Sequence, residues 1–298
     1  MNVGDELLSL ALQTGLRSTV VVGTGKNVGK TTVISALARA ANSRGLLFGL
    51  TSIGRDGEAV DVSDGGQKPR LFLRPGCAVA TARDVLPTSP ASELIRITNF
   101  ATALGPVVLA RVRHCGYYEV AGAPTSKSLR GCVQALLEIG CETVLVDGAV
   151  DRLAALAGGD DAVIVATGAS AARTMSNAVE DVVALVARLR IPKSEDGAEK
   201  LQIDGALTAA HAAYLLSQRE SRPVVVRDPM HVLIGGKAFL EVNKGLRLRC
   251  ERPLHVIAAT VAPVGSERYF EPYAFAAAVA AATGLSTFDV LAGSKFAA

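Results

Sequence analysis

The chain has 298 residues, of which 49% are hydrophobic and 20% charged, far too apolar a mixture for a disordered polymer. A formal net charge of +3 gives no reason to expect nucleic acid or an anionic membrane as a partner. Trp is absent and aromatics make up only 4%, so the core must be built from small aliphatic side chains, which favours α/β layers over an aromatic-rich sandwich. The longest apolar stretch runs only from Tyr273 to Ala282, too short to span a bilayer. The first residues lack a basic segment followed by an apolar one, and the 5 cysteines form no C-x-x-C pair. A cytoplasmic protein with free thiols is the expectation.

Taken in chain order, apolar runs alternate with helix-period segments, the pattern of βαβ units. Thr19–Val22 reads as a first strand, and a glycine-rich turn leads into a helix from about Lys30 to Ser43 that stops at Gly45. Leu46–Leu50 reads as a second strand, followed by a loop-rich stretch from Ser52 to about Pro90. Further strands are expected at Val107–Val112, Thr143–Val146 and Ala162–Ala166, and a helix carrying Met175, Val179, Val182, Val186 and Leu189 on one face. After a polar link at Lys193–Lys200 come strands at Gln202–Leu207 and Pro223–Val226, with a helix around Ala209–Ser217 between them. In the last third, Phe239–Val242, Leu246–Cys250 and Leu254–Ala259 read as antiparallel strands, and a helix near Pro272–Thr283 closes the chain. The fold class is therefore α/β: a doubly wound, mostly parallel sheet over residues 1–232, with a β-rich C-terminal extension over 233–298. Ligands of such sheets bind where strands end at their C-termini.

The sharpest motif stands at such a place. Gly23-Thr24-Gly25-Lys26-Asn27-Val28-Gly29-Lys30-Thr31-Thr32 follows the first strand and opens the first helix. In a phosphate loop of this form, backbone N–H groups wrap phosphate oxygens, Lys30 supplies a cation, and the Thr31 hydroxyl ligates Mg²⁺. The strict motif has Gly where this chain has Thr24. A phosphate loop also needs a carboxylate near the metal, and Asp147 at the end of the Thr143–Val146 run supplies one. Asp56, Asp61 and Asp64 crowd the segment after the second strand, beside Arg55 and Glu58. They are open to two readings: a second metal or water carboxylate, or a solvated acidic loop. The four histidines have no metal-ligand spacing. Adjacent His114 and Cys115 point to opposite faces of a strand, which is a poor arrangement for a catalytic pair.

Gly23-Thr24-x-x-x-Val28-Gly29-Lys30-Thr31 resembles the loop of dethiobiotin synthetases, which belong with cobyrinate amidases, nitrogenase iron protein and MinD-type ATPases in one P-loop class. Val146-Asp147-Gly148-Ala149 is similar to their V-E-G-A, with Asp for Glu. The resemblance implies ATP and Mg²⁺ as cofactors. It implies Lys30 and Asp147 as catalytic groups, Gly23–Thr32 as the nucleotide loop, and Thr31, Asp64 and Asp147 as the metal set. It also implies Thr208 in the place of an adenine-contacting Asn. No Asn-Lys-x-Asp motif is present, which favours ATP over GTP. MinD-type members carry an extra lysine where this chain has Gly25, and here Lys26 stands one place on; a homodimer remains open.

The substrate motifs of the synthetases are not matched: Thr51-Ser52 replaces their Lys-Pro, and Ser89-Pro90-Ala91 stands against their Ser-Pro-His. The octapeptide from Thr51 to Glu58 resembles P-loop proteins of cobalamin-dependent aminomutase systems. Two functions follow as expectations. One is a nucleotide-dependent switch or accessory ATPase for a partner protein. The other is an ATP-dependent ligase activating a small carboxylate or carbamate.

Overall fold

The computed structural model describes residues 2–53, 70–87, 90–148, 160–197 and 199–296. Its centre is a ten-stranded sheet. The first strand, β1 (Ser18–Gly23), is buried along its whole length. It lies between β8 (Thr143–Asp147) and β9 (Ala162–Gly168), both parallel to it. On the β8 side follow β2 (Phe48–Ser52) and β4 (Cys77–Ala82), also parallel. On the β9 side follow β13 (His255–Ala262) and β14 (Thr287–Asp289), again parallel. Antiparallel strands finish both edges: β6 (Gly105–Val112) and β5 (Ser92–Thr102) beyond β4, and β15 (Ser294–Phe296) beyond β14. The continuous Val-rich runs of β1, β8 and β9 suit strands covered on both faces.

Helices supply the covers. One face carries α1 (Val3–Gln13) and α2 (Lys30–Ser43), whose Leu7, Leu8, Ile34 and Leu37 pack on Val21, Leu50 and Leu145. The other carries α3 (Ser126–Glu138), α4 (Met175–Leu189) and α7 (Pro272–Thr283), with Leu129, Val182 and Phe275 over Val20, Val144 and Val163. The result is a three-layer α/β unit wound in both directions from β1. A short antiparallel pair, β3 (Leu71–Leu73) and β7 (Gly116–Tyr118), lies apart from the large sheet.

A second hydrophobic cluster belongs to a small parallel sheet of β10 (Leu201–Gln202), β11 (Val224–Val226) and β12 (Leu248–Cys250), covered by α5 (Ala209–Ser217) and α6 (Gly236–Gly245). It adjoins α4, where Lys237 of α6 pairs with Glu180 at 2.8 Å and an Arg188 N–H donates to the Ile234 carbonyl at 3.3 Å.

Several expectations are corrected by this arrangement. Residues 233–298 do not form an antiparallel β-rich extension. Phe239–Val242 lies within α6, because Phe239, Val242 and Leu246 at helical spacing bury one stripe against Leu215 and Val224. Leu248–Cys250 pairs in parallel with β11, and His255–Ala262 crosses into the central sheet beside β9. Of the expected strand Gln202–Leu207, only Gln202 is in a strand, the short β10 (Leu201–Gln202), since Gly205 at φ 100° turns the chain. The stretch after Ser52 is not all loop: β3 and β4 flank the turn at Pro75-Gly76. Helices α1 and α3 and strand β5 stand beyond the expected elements.

Candidate functional site

The loop from Gly23 to Thr32 joins the end of β1 to the start of α2. Gly29 sits at the helix N-cap with φ 88°, a left-handed conformation that an L side chain resists. Asn27 also has positive φ, at 55°, a region that Asn tolerates better than most residues. Val28 is buried and anchors the loop, whereas Lys26 and Asn27 are exposed. The N-cap, Gly29, has no side chain with which to cap the first turn of α2. The backbone N–H groups and partial positive charge of a helix start are therefore presented beside the half-buried Thr31 and Thr32. The Lys30 ammonium donates to the Gly25 carbonyl at 2.9 Å, folding back across its own loop.

Thr24, the departure from the strict motif, has a local role. Its N–H donates to the Ala166 carbonyl and its hydroxyl to that of Thr167, both at 3.0 Å. It thus ties the loop to the end of β9. Gly25 allows a second close approach, because a Cβ there would lie 2.8 Å from the Ala171 methyl. On the far side, the Ala262 methyl lies 3.3 Å from where a Cβ of Gly29 would stand. The ends of β1, β9 and β13 are thus packed together around the loop.

Asp147 ends β8 in register with Val21 of β1 and Ser52 of β2. Burial pushes its carboxyl up to about 6, and the nearby Lys30 ammonium pulls it back down. The two charged residues singled out from sequence are thus brought to one place. Beside them a strap crosses the ends of β4 and β2. Ala82 N–H donates to the Ala121 carbonyl (2.8 Å), the Ser52 hydroxyl to the Val120 carbonyl (2.9 Å), and Gly122 N–H to the Ser52 hydroxyl (3.0 Å). The strap leads into α3, whose N-cap is Thr125.

Among the described residues a cleft of about 260 Å³ opens from Gly23 and Thr24 along Asp181 and Arg188 of α4 to Gly235 and Gly236. It is smaller than the ~300–1,000 Å³ common for small-molecule sites, so a larger ligand on the glycine-rich loop would have to extend over the open strand ends. Burial and the adjacent Glu180 push the Asp181 carboxyl up.

The remaining residues singled out from sequence fall elsewhere. Thr208 is not at the end of a strand of the central sheet. Its hydroxyl accepts from His211 N–H at 3.3 Å as the N-cap of α5 in the small sheet's unit. Asp56, Asp61 and Asp64, with Arg55 and Glu58, lie outside the described residues, as do Ser89 and Ala149. Residues missed in the sequence are Thr167, Ala171 and Ala262, which wall the loop. Thr167 is the last residue but one of β9 and Ala171 follows it, at the strand end where ligands of such sheets bind; Ala262 ends β13, which the sequence does not mark as a strand of the central sheet.

No family model matches the chain, and no curated protein or solved structure is significantly similar to it. Fold and site therefore rest on the residues themselves: an α/β protein with a large, mostly parallel central sheet. Among the described residues no helix is long and apolar enough to cross a membrane.

Proposed function

We propose that the chain is a P-loop NTPase that binds Mg·ATP on the Gly23–Thr32 loop and hydrolyses it as a switch or accessory ATPase for a partner protein. One observation carries the reading. A buried parallel strand runs into a glycine-rich turn whose Gly29 opens a helix with no N-cap side chain, and the Lys30 ammonium lies close enough to the half-buried Asp147 to oppose the upward push of burial on its carboxyl. Backbone N–H groups and Lys30 would cradle the phosphates. Moving from the Gly25 carbonyl to a phosphate oxygen, the Lys30 ammonium would exchange a neutral acceptor for a charged one.

The residues fit Mg²⁺. That ion takes one or two carboxylates beside phosphate and water oxygens, and Thr31 and Asp147 are hard oxygen donors. No group of three His, Cys, Asp or Glu suited to a metal is found among the described residues. When bound, Mg²⁺ supplies neutralisation of phosphate charge. The partner is a protein in this reading, with cobalamin-dependent aminomutase systems the class suggested by the Thr51–Glu58 octapeptide. The test is Mg²⁺-dependent release of phosphate from ATP, with candidate partner proteins and a panel of small carboxylates added in turn. Acceleration by a protein supports the switch. Acceleration by a carboxylate alone would replace it with an ATP-dependent ligase.

A further inference from the structure

The two edges of the central sheet differ in kind. At one, β15 is 3 residues long. At the other, β5 runs for 11 residues, the longest of the described strands, and among the described residues no strand pairs with its outer side. Such an edge offers a row of unused backbone N–H and C=O groups to any further strand. Ser92–Thr102 contains neither Lys nor Pro, and its length gives no protection.

The side chains of β5 are sorted between its two faces. Leu94 stands opposite Ala110 and Ile97 opposite Val108, so both lie on the side of the sheet that carries α1 and α2. Glu93 stands opposite Arg111 and Arg96 opposite Leu109, on the side of α3. In a regular strand Leu94 and Ile97 would fall on opposite faces. The register shift between Leu94 and Arg96 brings them together. Both remain open to solvent, Leu94 at 41% and Ile97 at 60% exposure. On the other face Arg96 pairs with Glu138 at 3.1 Å and Glu93 with Arg113, so that flank carries as much negative as positive charge.

We propose that β5 pairs antiparallel with β5 of a second copy of the chain, joining the two central sheets across a two-fold axis. An axis perpendicular to the sheet sets each face of the strand against itself. Leu94 and Ile97 then meet the same two residues of the other copy, and the neutral flank meets a neutral flank. A strongly charged partner of either sign would find no counterpart there, whereas a second copy meets no net repulsion. The other edge does not compete, because β15 is too short to pair along β5. Five steps across the sheet separate β1 from β5, so at ~4.8 Å per step the two glycine-rich loops of the dimer stand about 50 Å apart. Each loop stays open, and the dimer stands or falls independently of the nucleotide reading.

Sedimentation velocity of the full chain over a range of concentrations tests the pairing. Wild type should sediment as a dimer. Ile97→Lys, which puts a charge on the open edge, should weaken association about tenfold or more. Leu94→Gln, on the same face, should weaken it too, and Ile97→Val should keep it. Both side chains are exposed, so the variants should retain the fold, as circular dichroism checks. Leu291→Lys, at another exposed apolar residue, should leave the dimer unchanged. A wild type that stays monomeric at every concentration would overturn the pairing. A dimer that persists in both Ile97→Lys and Leu94→Gln, or is lost equally in Leu291→Lys, would overturn it as well.

Discussion

Asp147 offers the most searching test of the site, because its burial should cost stability when no metal is present. Moving a carboxyl from 3.8 to about 6 disfavours its ionised form by about 3 kcal/mol. The side chain keeps part of its surface open, so this figure is an upper bound. The sign follows from proton counting. Between the two values the native protein holds a proton that the unfolded chain has released, so this residue's contribution falls as pH rises through that window. It is constant above about 6, and it vanishes below 3.8, where both states are protonated. Asp147→Asn removes the titration and the buried charge together. In metal-free buffer the variant should therefore be more stable than wild type at pH 8, by up to about 3 kcal/mol, with the advantage shrinking to nothing near pH 4. Urea melts of both proteins at half-unit steps of pH read this difference directly. Adding Mg·ATP should reverse the order by stabilising wild type alone. A difference that stays flat with pH, or a variant less stable than wild type at pH 8 without metal, would show that no burial penalty is stored at this carboxylate.

The strap over β2 makes a steric prediction. A Cβ on Gly122 would fall 1.7 Å from the Ser52 carbonyl oxygen, and no rotamer relieves a backbone clash. Gly122→Ala should destabilise the protein by about 3 kcal/mol or more, measured by urea unfolding, whereas Gly15→Ala, which meets nothing within 4 Å, should cost far less despite its φ of 73°.

How much of this was legible in the sequence depends on what each segment buries. The strands β1, β8 and β9 are apolar almost throughout, because both faces are covered, and their runs stood out. Helix α2 was bounded correctly from Lys30 to Ser43, with Gly45 at φ 70° just beyond its end. Strand β5 was hidden, since register shifts between Leu94 and Arg96 and between Ile97 and Ala101 break its alternation. Strand β4, Cys-Ala-Val-Ala-Thr-Ala, sets its β-branched Val79 and Thr81 among Cys77 and alanines, which signal a strand weakly. Phe239-Leu240-Glu241-Val242 has the composition of a strand, and only the spacing to Leu246 marks a helix. The short link Glu251-Arg252-Pro253 suggested a hairpin, yet the chain changes sheets there, a choice set by which sheet has an open edge. Thr208, which only the resemblance placed at the base, caps α5 in the small sheet's unit instead. The glycine-rich loop was legible because it is contiguous in sequence. The far wall of the loop brings together Ala171 and Ala262, residues distant in sequence, and only the folded sheet does so.

The most direct test of the central claim is the affinity of the full chain for Mg·ATP, measured by titration calorimetry for wild type and Lys30→Ala. The Lys30 ammonium bonds the Gly25 carbonyl of its own loop at 2.9 Å, and circular dichroism with a urea melt of the variant checks that the fold is kept. Losing a charged partner to phosphate should weaken binding by at least about thirtyfold. Saturable Mg²⁺-dependent binding in wild type, lost to that degree in Lys30→Ala, is the predicted result. Equal affinity in the two proteins, or no binding by wild type, would contradict it.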